Sequence, residues 1–153
     1  MDKYDFMRLA LLEAEKSADE GEVPVGAVIV RNGEVVASGR NRRETEKNAL
    51  CHAELEAINN ACKRLGGWRL WECEMYVTLE PCPMCAGAII NSRLIKVTYG
   101  ANDNKNGAVN SVVKMFDLPF THKPEFESGV LEKECRKILS EFFKGLRDKR
   151  SKK

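Results

Sequence analysis

Two cysteines separated by two residues, Cys82 and Cys85, stand where a short strand pattern gives way to a helical pattern. The strand pattern covers residues 75–79, and side chains three apart on the following helix share one face, so both sulfurs can reach a single ion. His52 lies well before them, near the start of a second helical pattern over residues 51–65. If all three residues bind one ion, a strand and the starts of two helices must converge at one point. No other feature of the sequence restricts the fold as strongly.

The remaining segments alternate between helical and strand patterns. Asn32-Gly33 separates two β-rich runs and predicts a tight hairpin, because this pair tolerates the positive φ of both turn positions. Pro81 is typical of the first turn of a helix. The predicted helices cover residues 4–20, 51–65, 81–92 and 131–147, the located strands cover residues 27–30, 34–37, 75–79 and 94–99, and polar loops cover residues 41–50 and 100–111. This order predicts a three-layer α/β/α fold with one five-stranded mixed sheet, mostly parallel after the hairpin.

Length and charge indicate one domain with a basic end. The chain has 153 residues, of which 43% are hydrophobic and 31% charged, which suits a single domain that buries a core. We expect that domain to span residues 1–147. The formal net charge is only +2, but six of the ten residues in 144–153 are Lys or Arg and one is Asp. Residues 148–153 are therefore predicted to form a basic tail, which either contacts phosphates or is simply a solvated terminus.

Membrane insertion and export are both disfavoured by the sequence. No apolar run approaches the roughly 20 residues needed to cross a bilayer, and residues 1–5 lack the apolar character of a signal peptide. We therefore expect a cytoplasmic protein. Six cysteines permit three disulfides, but in a reducing compartment clustered cysteines more often bind metal. Four of the six are predicted to be small buried residues, namely Cys51, Cys62, Cys73 and Cys135.

His52, Cys82 and Cys85 supply three metal ligands and leave the fourth tetrahedral position open, which is typical of catalytic rather than structural zinc. Both cysteines lie at a predicted helix start, where the helix dipole stabilises thiolates. Glu54, two residues after His52, is placed to take a proton from water and return it to a substrate nitrogen. A His-x-Glu segment followed by Pro-Cys-x-x-Cys is the known signature of zinc-dependent nucleobase deaminases. A structural zinc knuckle or a chance cluster is the alternative, but it needs a fourth ligand and gives Glu54 no role.

Further motifs extend along almost the whole chain. They lie at residues 22–28, 52–54, 76–88, 92–93 and 99–101, at Asp103, Lys105 and Gly107, and at Phe142 and Phe143. Together they resemble the bacterial tRNA-specific adenosine deaminases of the cytidine deaminase-like superfamily, over about residues 4–147. Segments 23–27 and 100–108 point to this subgroup more than to the superfamily at large.

The resemblance implies a cytidine deaminase-like fold, a homodimer with one Zn²⁺ per subunit, and deamination of adenosine to inosine at the wobble position of a tRNA anticodon. His52, Cys82 and Cys85 match the family's zinc ligands, and Glu54 matches its proton shuttle. The basic C-terminal helix and tail match a region that helps to hold the RNA. The expected partners are therefore a tRNA anticodon stem-loop and a second copy of the chain, with no membrane. The residues predicted to contact substrate are Val28, Asn41, Ala53, Asp103 and Phe143.

One segment departs from the family pattern. Residues 49–51 are Ala-Leu-Cys where the family usually has Pro-Thr-Ala, and this loop is expected to border the pocket. Relatives that deaminate free guanine, cytosine or nucleosides share the metal site, so a small-molecule deaminase remains an alternative. A non-catalytic, zinc-stabilised RNA-binding domain is a third interpretation, and the intact His52 and Glu54 argue against it.

Overall fold

The structure, a computed structural model, describes residues 1–151. Within them, four α-helices alternate with five strands. The helices are α1 (Lys3–Asp19), α2 (Ala53–Leu65), α3 (Pro83–Asn91) and α4 (Glu132–Ser151), and the strands are β1 (Gly26–Arg31), β2 (Glu34–Arg40), β3 (Cys73–Leu79), β4 (Lys96–Ala101) and β5 (Glu125–Ser128). A 3₁₀ turn covers Met115–Asp117. None of the helices in this part of the chain combines the length and apolar character needed to cross a membrane.

The five strands form one mixed sheet, which confirms the predicted α/β fold. Their order is β2-β1-β3-β4-β5. β1 pairs antiparallel with β2 and β3, whereas β3, β4 and β5 run parallel, as expected beyond the hairpin. Asn32 and Gly33 both have positive φ, 51° and 78°, so this pair makes the tight turn that the sequence predicts.

Helices cover both faces of the sheet. Alternate residues of β1 point to opposite faces, and each set packs against different helices. Ala27 and Ile29 pack in the hydrophobic cluster beneath α2 and α3. Val28 and Val30 pack in the other cluster, with Met7 of α1 and part of α4. The result is the three-layer α/β/α arrangement.

Two helix starts meet at one end of the sheet. His52 is the N-cap residue of α2 and Cys82 is the N-cap residue of α3, directly after β3. The proline in the first turn of α3 is Pro83, so the prediction that assigned Pro81 to that turn is wrong by two residues. α2 rests directly on β2, because a Cβ added at Gly39 would lie only 2.5 Å from the Ala57 nitrogen. This contact fixes the start of α2 relative to the sheet, and the short connection from β3 to Cys82 fixes the start of α3.

Helix α4 continues further than its hydrophobic pattern indicates. The predicted helix ends near residue 147, but α4 runs to Ser151. Residues 148–151 of the predicted tail are therefore helical, and residues 152–153 lie outside the described part of the chain.

Candidate active site

The three predicted ligand residues come together at the two helix starts. The Nδ1 atom of His52 lies 3.7 Å from the Cys82 sulfur and 3.6 Å from the Cys85 sulfur. All three ligand atoms lie within 4.8 Å of one another. His52 and Cys82 are half-buried, and Cys85 is fully buried beneath them.

This spacing fits a metal ion. With Zn–N of about 2.0–2.1 Å and Zn–S of about 2.3 Å, tetrahedral angles place the nitrogen and each sulfur roughly 3.6 Å apart. The two nitrogen–sulfur distances match that value. The His52, Cys82 and Cys85 group could therefore hold a metal ion, and its nitrogen and sulfur donors suit zinc.

The two thiols differ in acidity, and a cation would remove the difference. The hydrogen bond with Cys85, together with the contact with His52, lowers the pKa of the Cys82 thiol to about 4 despite burial. The same hydrogen bond, together with burial, raises the pKa of Cys85. One thiolate therefore forms readily while the second is opposed. A divalent cation between the sulfurs favours ionisation of both, so the site chemistry again fits a metal.

Glu54 lies beside this cluster in the first turn of α2. Its side chain is only 4% exposed, although it lines a cleft that also reaches His52 and Cys82. Burial raises the pKa of the Glu54 carboxyl to about 7, and the charge of Cys82 acts in the same direction while His52 opposes it. A carboxyl group with a pKa near neutrality can both accept and release a proton. Position and acidity therefore suit a proton carrier.

The cleft has a volume of about 740 Å³, within the usual range for small-ligand sites. Most of the predicted substrate-contacting residues line it: Asn41, Ala53, Asp103 and Phe143, together with His52, Glu54 and Cys82. The Asn41 amide also donates to the Val23 carbonyl (3.0 Å), and its oxygen accepts from the Arg43 nitrogen (3.2 Å). Asn41 therefore holds its own loop while it faces the cleft. A contact with the substrate remains a prediction for all four residues.

Val28 is placed elsewhere, so the prediction that it contacts substrate is corrected. The side chain is 2% exposed and packs in the α1-side cluster beside Met7 and Tyr76. Residues along a strand alternate between faces, and Val28 points to the face covered by α1. Val23 and Val25, which precede β1, line the cleft instead.

Residues 49–51 also lie outside the cleft, which corrects the expectation that this loop borders the pocket. Leu50 and Cys51 line a separate depression with Arg40 and Glu56. The chain turns tightly here, because Cys51 donates to the Asn48 carbonyl (3.2 Å). Only from His52 onward does this segment face the cleft. The departure from the family pattern therefore lies in residues that do not line the cleft.

The cysteines outside the cluster form no disulfides. All six cysteines lie in the described residues, and all six are free thiols. Cys73 and Cys135 are buried as predicted, whereas Cys51 and Cys62 are only partly buried. The even number of cysteines is therefore not a disulfide pattern.

The cleft also includes basic residues that no sequence motif marks as a group. Arg43, Lys105 and Arg136 line it, and each is exposed to solvent. They come from three distant segments, so no local run of charge indicates them. Arg43 and Arg136 also form surface ion pairs with Glu44 and Glu132. Their exposed guanidinium groups and the Lys105 ammonium still make the cleft entrance suitable for phosphate groups.

This α/β/α fold, with a His–Cys–Cys group at two helix starts and a buried glutamate beside it, defines a hydrolytic deaminase of the cytidine deaminase-like class. The model of the MafB19-like deaminase family matches residues 1–147. Sequence comparison narrows the class further, and the chain belongs to the family of tRNA-specific adenosine deaminases.

Two curated relatives carry that assignment. The chain is 50% identical over 146 residues to the tRNA-specific adenosine deaminase of Bacillus subtilis, covering 95% of this chain and 91% of the relative. It is 46% identical over 149 residues to the tRNA-specific adenosine deaminase of Aquifex aeolicus, covering 97% and 98%. A solved structure from studies of A-to-I editing by tRNA:A34 deaminases superposes with a TM-score of 0.86 at 46% identity. That match covers 88% of this chain and 99% of the other.

Proposed function

We propose that this protein deaminates adenosine to inosine at the wobble position of a tRNA anticodon loop, with one Zn²⁺ per chain. The observation that carries the proposal is the buried Glu54 beside the His–Cys–Cys group, at the base of a cleft with a basic entrance. The relatives named for tRNA-specific adenosine deamination support the choice of substrate.

The roles of the residues follow from their positions. His52, Cys82 and Cys85 would hold the zinc ion, which when bound supplies a Lewis acid that makes water nucleophilic near neutral pH. Glu54 takes a proton from the attacking water and delivers it to N1 of the purine. It then passes the second proton of that water to the leaving amino group. Adenosine and water thus become inosine and ammonia.

The cleft suits a nucleotide that has left a base stack. An anticodon loop presents unstacked bases at low cost, and recognition of single-stranded RNA relies on such bases. Asn41, Asp103 and Phe143 stand on different walls of the cleft, where an amide, a carboxylate and an aromatic ring can meet the base and its neighbours. The basic residues at the entrance then meet the flanking phosphates.

A substrate comparison tests this function. The protein is incubated with an anticodon stem-loop that carries adenosine at the wobble position and, in parallel, with free adenosine, guanine and cytosine. We expect inosine in the RNA, detected after nuclease digestion, and no ammonia from the free compounds. A stem-loop with guanosine at the same position is the matched control. Ammonia from a free base, with an unchanged stem-loop, would instead establish the small-molecule deaminase.

The basic C-terminal residues 147–153 provide a second test. Deleting residues 147–153 is expected to weaken stem-loop binding several-fold and to lower the slope of log affinity against log salt by about 0.7 for each phosphate that is no longer neutralised. Lys63→Gln, which removes an exposed charge near the end of α2 away from its first turn, is the control and should leave the slope unchanged. Titrations at several salt concentrations measure both. An identical slope for the deletion would make this end a solvated terminus.

We further propose a homodimer in the cytoplasm. Several apolar side chains are exposed on the described surface and can meet a second copy, including Leu50 (57%), Trp71 (60%) and Val112 (59%). The free thiols fit a reducing compartment.

A further inference from the structure

Glu80 is a buried carboxylate whose hydrogen-bond donors all come from one loop. Its side chain is 2% exposed and directly precedes Pro81 in the segment that leads to the ligand Cys82. The donors belong to residues 103–111, which we term the 103–111 loop. Oε1 accepts from the Asp103 nitrogen (3.1 Å) and the Ser111 hydroxyl, and Oε2 accepts from the nitrogens of Val109 (3.1 Å), Asn110 (2.8 Å) and Ser111 (3.0 Å).

These five donors replace the counter-charge that a buried carboxylate needs. Within residues 1–151, no lysine or arginine forms an ion pair with Glu80. Removing a carboxylate from water is costly unless hydrogen bonds satisfy its oxygens. The 103–111 loop supplies them only in a conformation that points four backbone N–H groups at one side chain. Glu80 therefore determines the shape of this loop.

The loop closes tightly on the carboxylate. A Cβ added at Gly107 would lie 2.5 Å from Oε1 of Glu80 and 2.5 Å from the Asp103 carbonyl oxygen, so only glycine fits there. The Ala108 nitrogen also donates to the Pro81 carbonyl (2.8 Å). The loop is thus bound to the ligand-bearing segment through both a side chain and the backbone.

The same loop forms one wall of the cleft. Asp103, Asn104, Lys105 and Asn106 all line it. Within the loop, Asp103 Oδ1 accepts from the nitrogens of Lys105 and Asn106, both at 3.1 Å. Any displacement of the loop would therefore move the wall as a unit.

We propose that Glu80 is a positioning residue that fixes the substrate wall formed by the 103–111 loop relative to the metal ligand Cys82. Glu80 takes no part in proton transfer, because both of its oxygens are occupied by loop donors. Glu80 affects the reaction only by positioning the loop. Its replacement therefore lowers the affinity for RNA more than it lowers the rate of the chemical step. This inference rests on the proposed function, since the wall is assumed to meet an anticodon loop.

Glu80→Gln tests the proposal with little change in size. The amide nitrogen cannot accept a hydrogen bond, so at least two of the five donors lose their acceptor. We expect KM for the stem-loop to rise about tenfold or more, while kcat falls less than threefold and zinc stays at one per chain. Glu127→Gln is the matched control, because that carboxylate pairs with Lys3 and Lys96 away from the cleft. It should leave both constants unchanged.

Gly107→Ala serves as an independent variant that keeps the carboxylate. Its Cβ would push the loop away from Glu80, so KM should rise as in Glu80→Gln. Stem-loop affinity, measured by fluorescence anisotropy in a Glu54→Gln background, should fall in parallel. This measurement also reports on binding if turnover is low. If a Glu80→Gln protein with full zinc content keeps the wild-type KM and affinity, or loses kcat alone, the positioning role is wrong. If the wild-type protein itself does not deaminate the stem-loop, the proposed function fails instead.

Discussion

Glu54→Gln is expected to lower the turnover of a wobble-adenosine stem-loop by about 10³-fold, within the usual range for loss of a general acid–base group. The amide keeps the size of the side chain but cannot take a proton from water or return one to the purine. The metal ligands His52, Cys82 and Cys85 are untouched, so zinc content should remain one per chain. Single-turnover kinetics and metal analysis of the same preparation measure the two effects separately.

The stability of this variant provides an internal check. Burial raises the pKa of the Glu54 carboxyl to about 7, which means that ionising it in the folded protein is unfavourable. When burial raises the pKa of a carboxyl group in the folded protein, the free energy of unfolding falls as the pH rises from the pKa of the unfolded chain to the pKa of the folded protein. A neutral amide avoids that loss, so Glu54→Gln should melt at the wild-type temperature or above at neutral pH.

Glu72→Gln is the control for Glu54→Gln. Glu72 is exposed and pairs with Arg31, outside the residues that line the cleft. The control should keep wild-type turnover. A Glu54→Gln protein that retained more than a tenth of wild-type turnover would remove Glu54 from the acid–base role.

The sequence predicts those parts of the fold whose pattern lies within a single short segment. Asn32-Gly33 predicts its own turn, and the helical spacing of α2 and α4 is visible in single segments. The metal group is predictable because each half carries its spacing, Cys82 with Cys85 and His52 at a helix start. The succession of β3 and α3 places the two cysteines, but bringing His52 to them also needs α2 to pack on the sheet beside α3. A metal site whose ligands have a characteristic spacing can therefore be predicted from the sequence, although the packing that brings the ligands together cannot.

The fifth strand could not be located in this way. β5 is only four residues long, Glu125–Ser128, and even Phe126, its one large apolar residue, is 39% exposed. Such a strand has no buried face to impose an alternating pattern. It exists because the edge of β4 offers unpaired backbone groups. The signal for this strand is therefore the free edge of β4, and residues 125–128 themselves carry no strand pattern.

The error at Val28 has a related cause. Residues 27–30 of β1 are all apolar and buried, since helices cover both faces of the sheet. A continuous apolar run does not reveal which residues face which helix. Only the packing of α1 on one face of the sheet shows that Val28 faces this helix.

Two buried glutamates that shape the loops around the cleft also escape sequence reasoning. Glu22 accepts from the nitrogens of Glu44 (3.0 Å) and Thr45 (2.6 Å), much as Glu80 holds the 103–111 loop. Apart from the Ser111 hydroxyl, their donors are backbone N–H groups more than 20 residues along the chain, which leave no residue signature. A glutamate next to an apolar segment is the only signal in the sequence, and Glu22 precedes such a segment while Glu80 follows one.

Cys82→Ser is expected to reduce bound zinc well below one per chain and to lower both stability and activity. A serine hydroxyl remains protonated near neutral pH, whereas the pKa of the Cys82 thiol is already lowered to about 4 by its hydrogen bonds to Cys85 and His52. The variant therefore replaces an anionic sulfur ligand with a neutral, shorter oxygen. Metal that binds only the folded chain stabilises it by about 4 kcal/mol at a thousandfold excess over Kd, so its loss should lower Tm by about 10 °C.

Cys62→Ser separates this effect from the general cost of losing a thiol. Cys62 is a partly buried cysteine of α2 outside the metal group, and its replacement should leave zinc content at the wild-type level. Metal analysis after dialysis, and melting curves with and without a chelator, are measured for both variants. The chelator should lower Tm for the wild type and Cys62→Ser but have little further effect on Cys82→Ser. Full zinc content in Cys82→Ser would remove that residue from the ligand set, because two remaining protein ligands, His52 and Cys85, cannot account for tight tetrahedral binding.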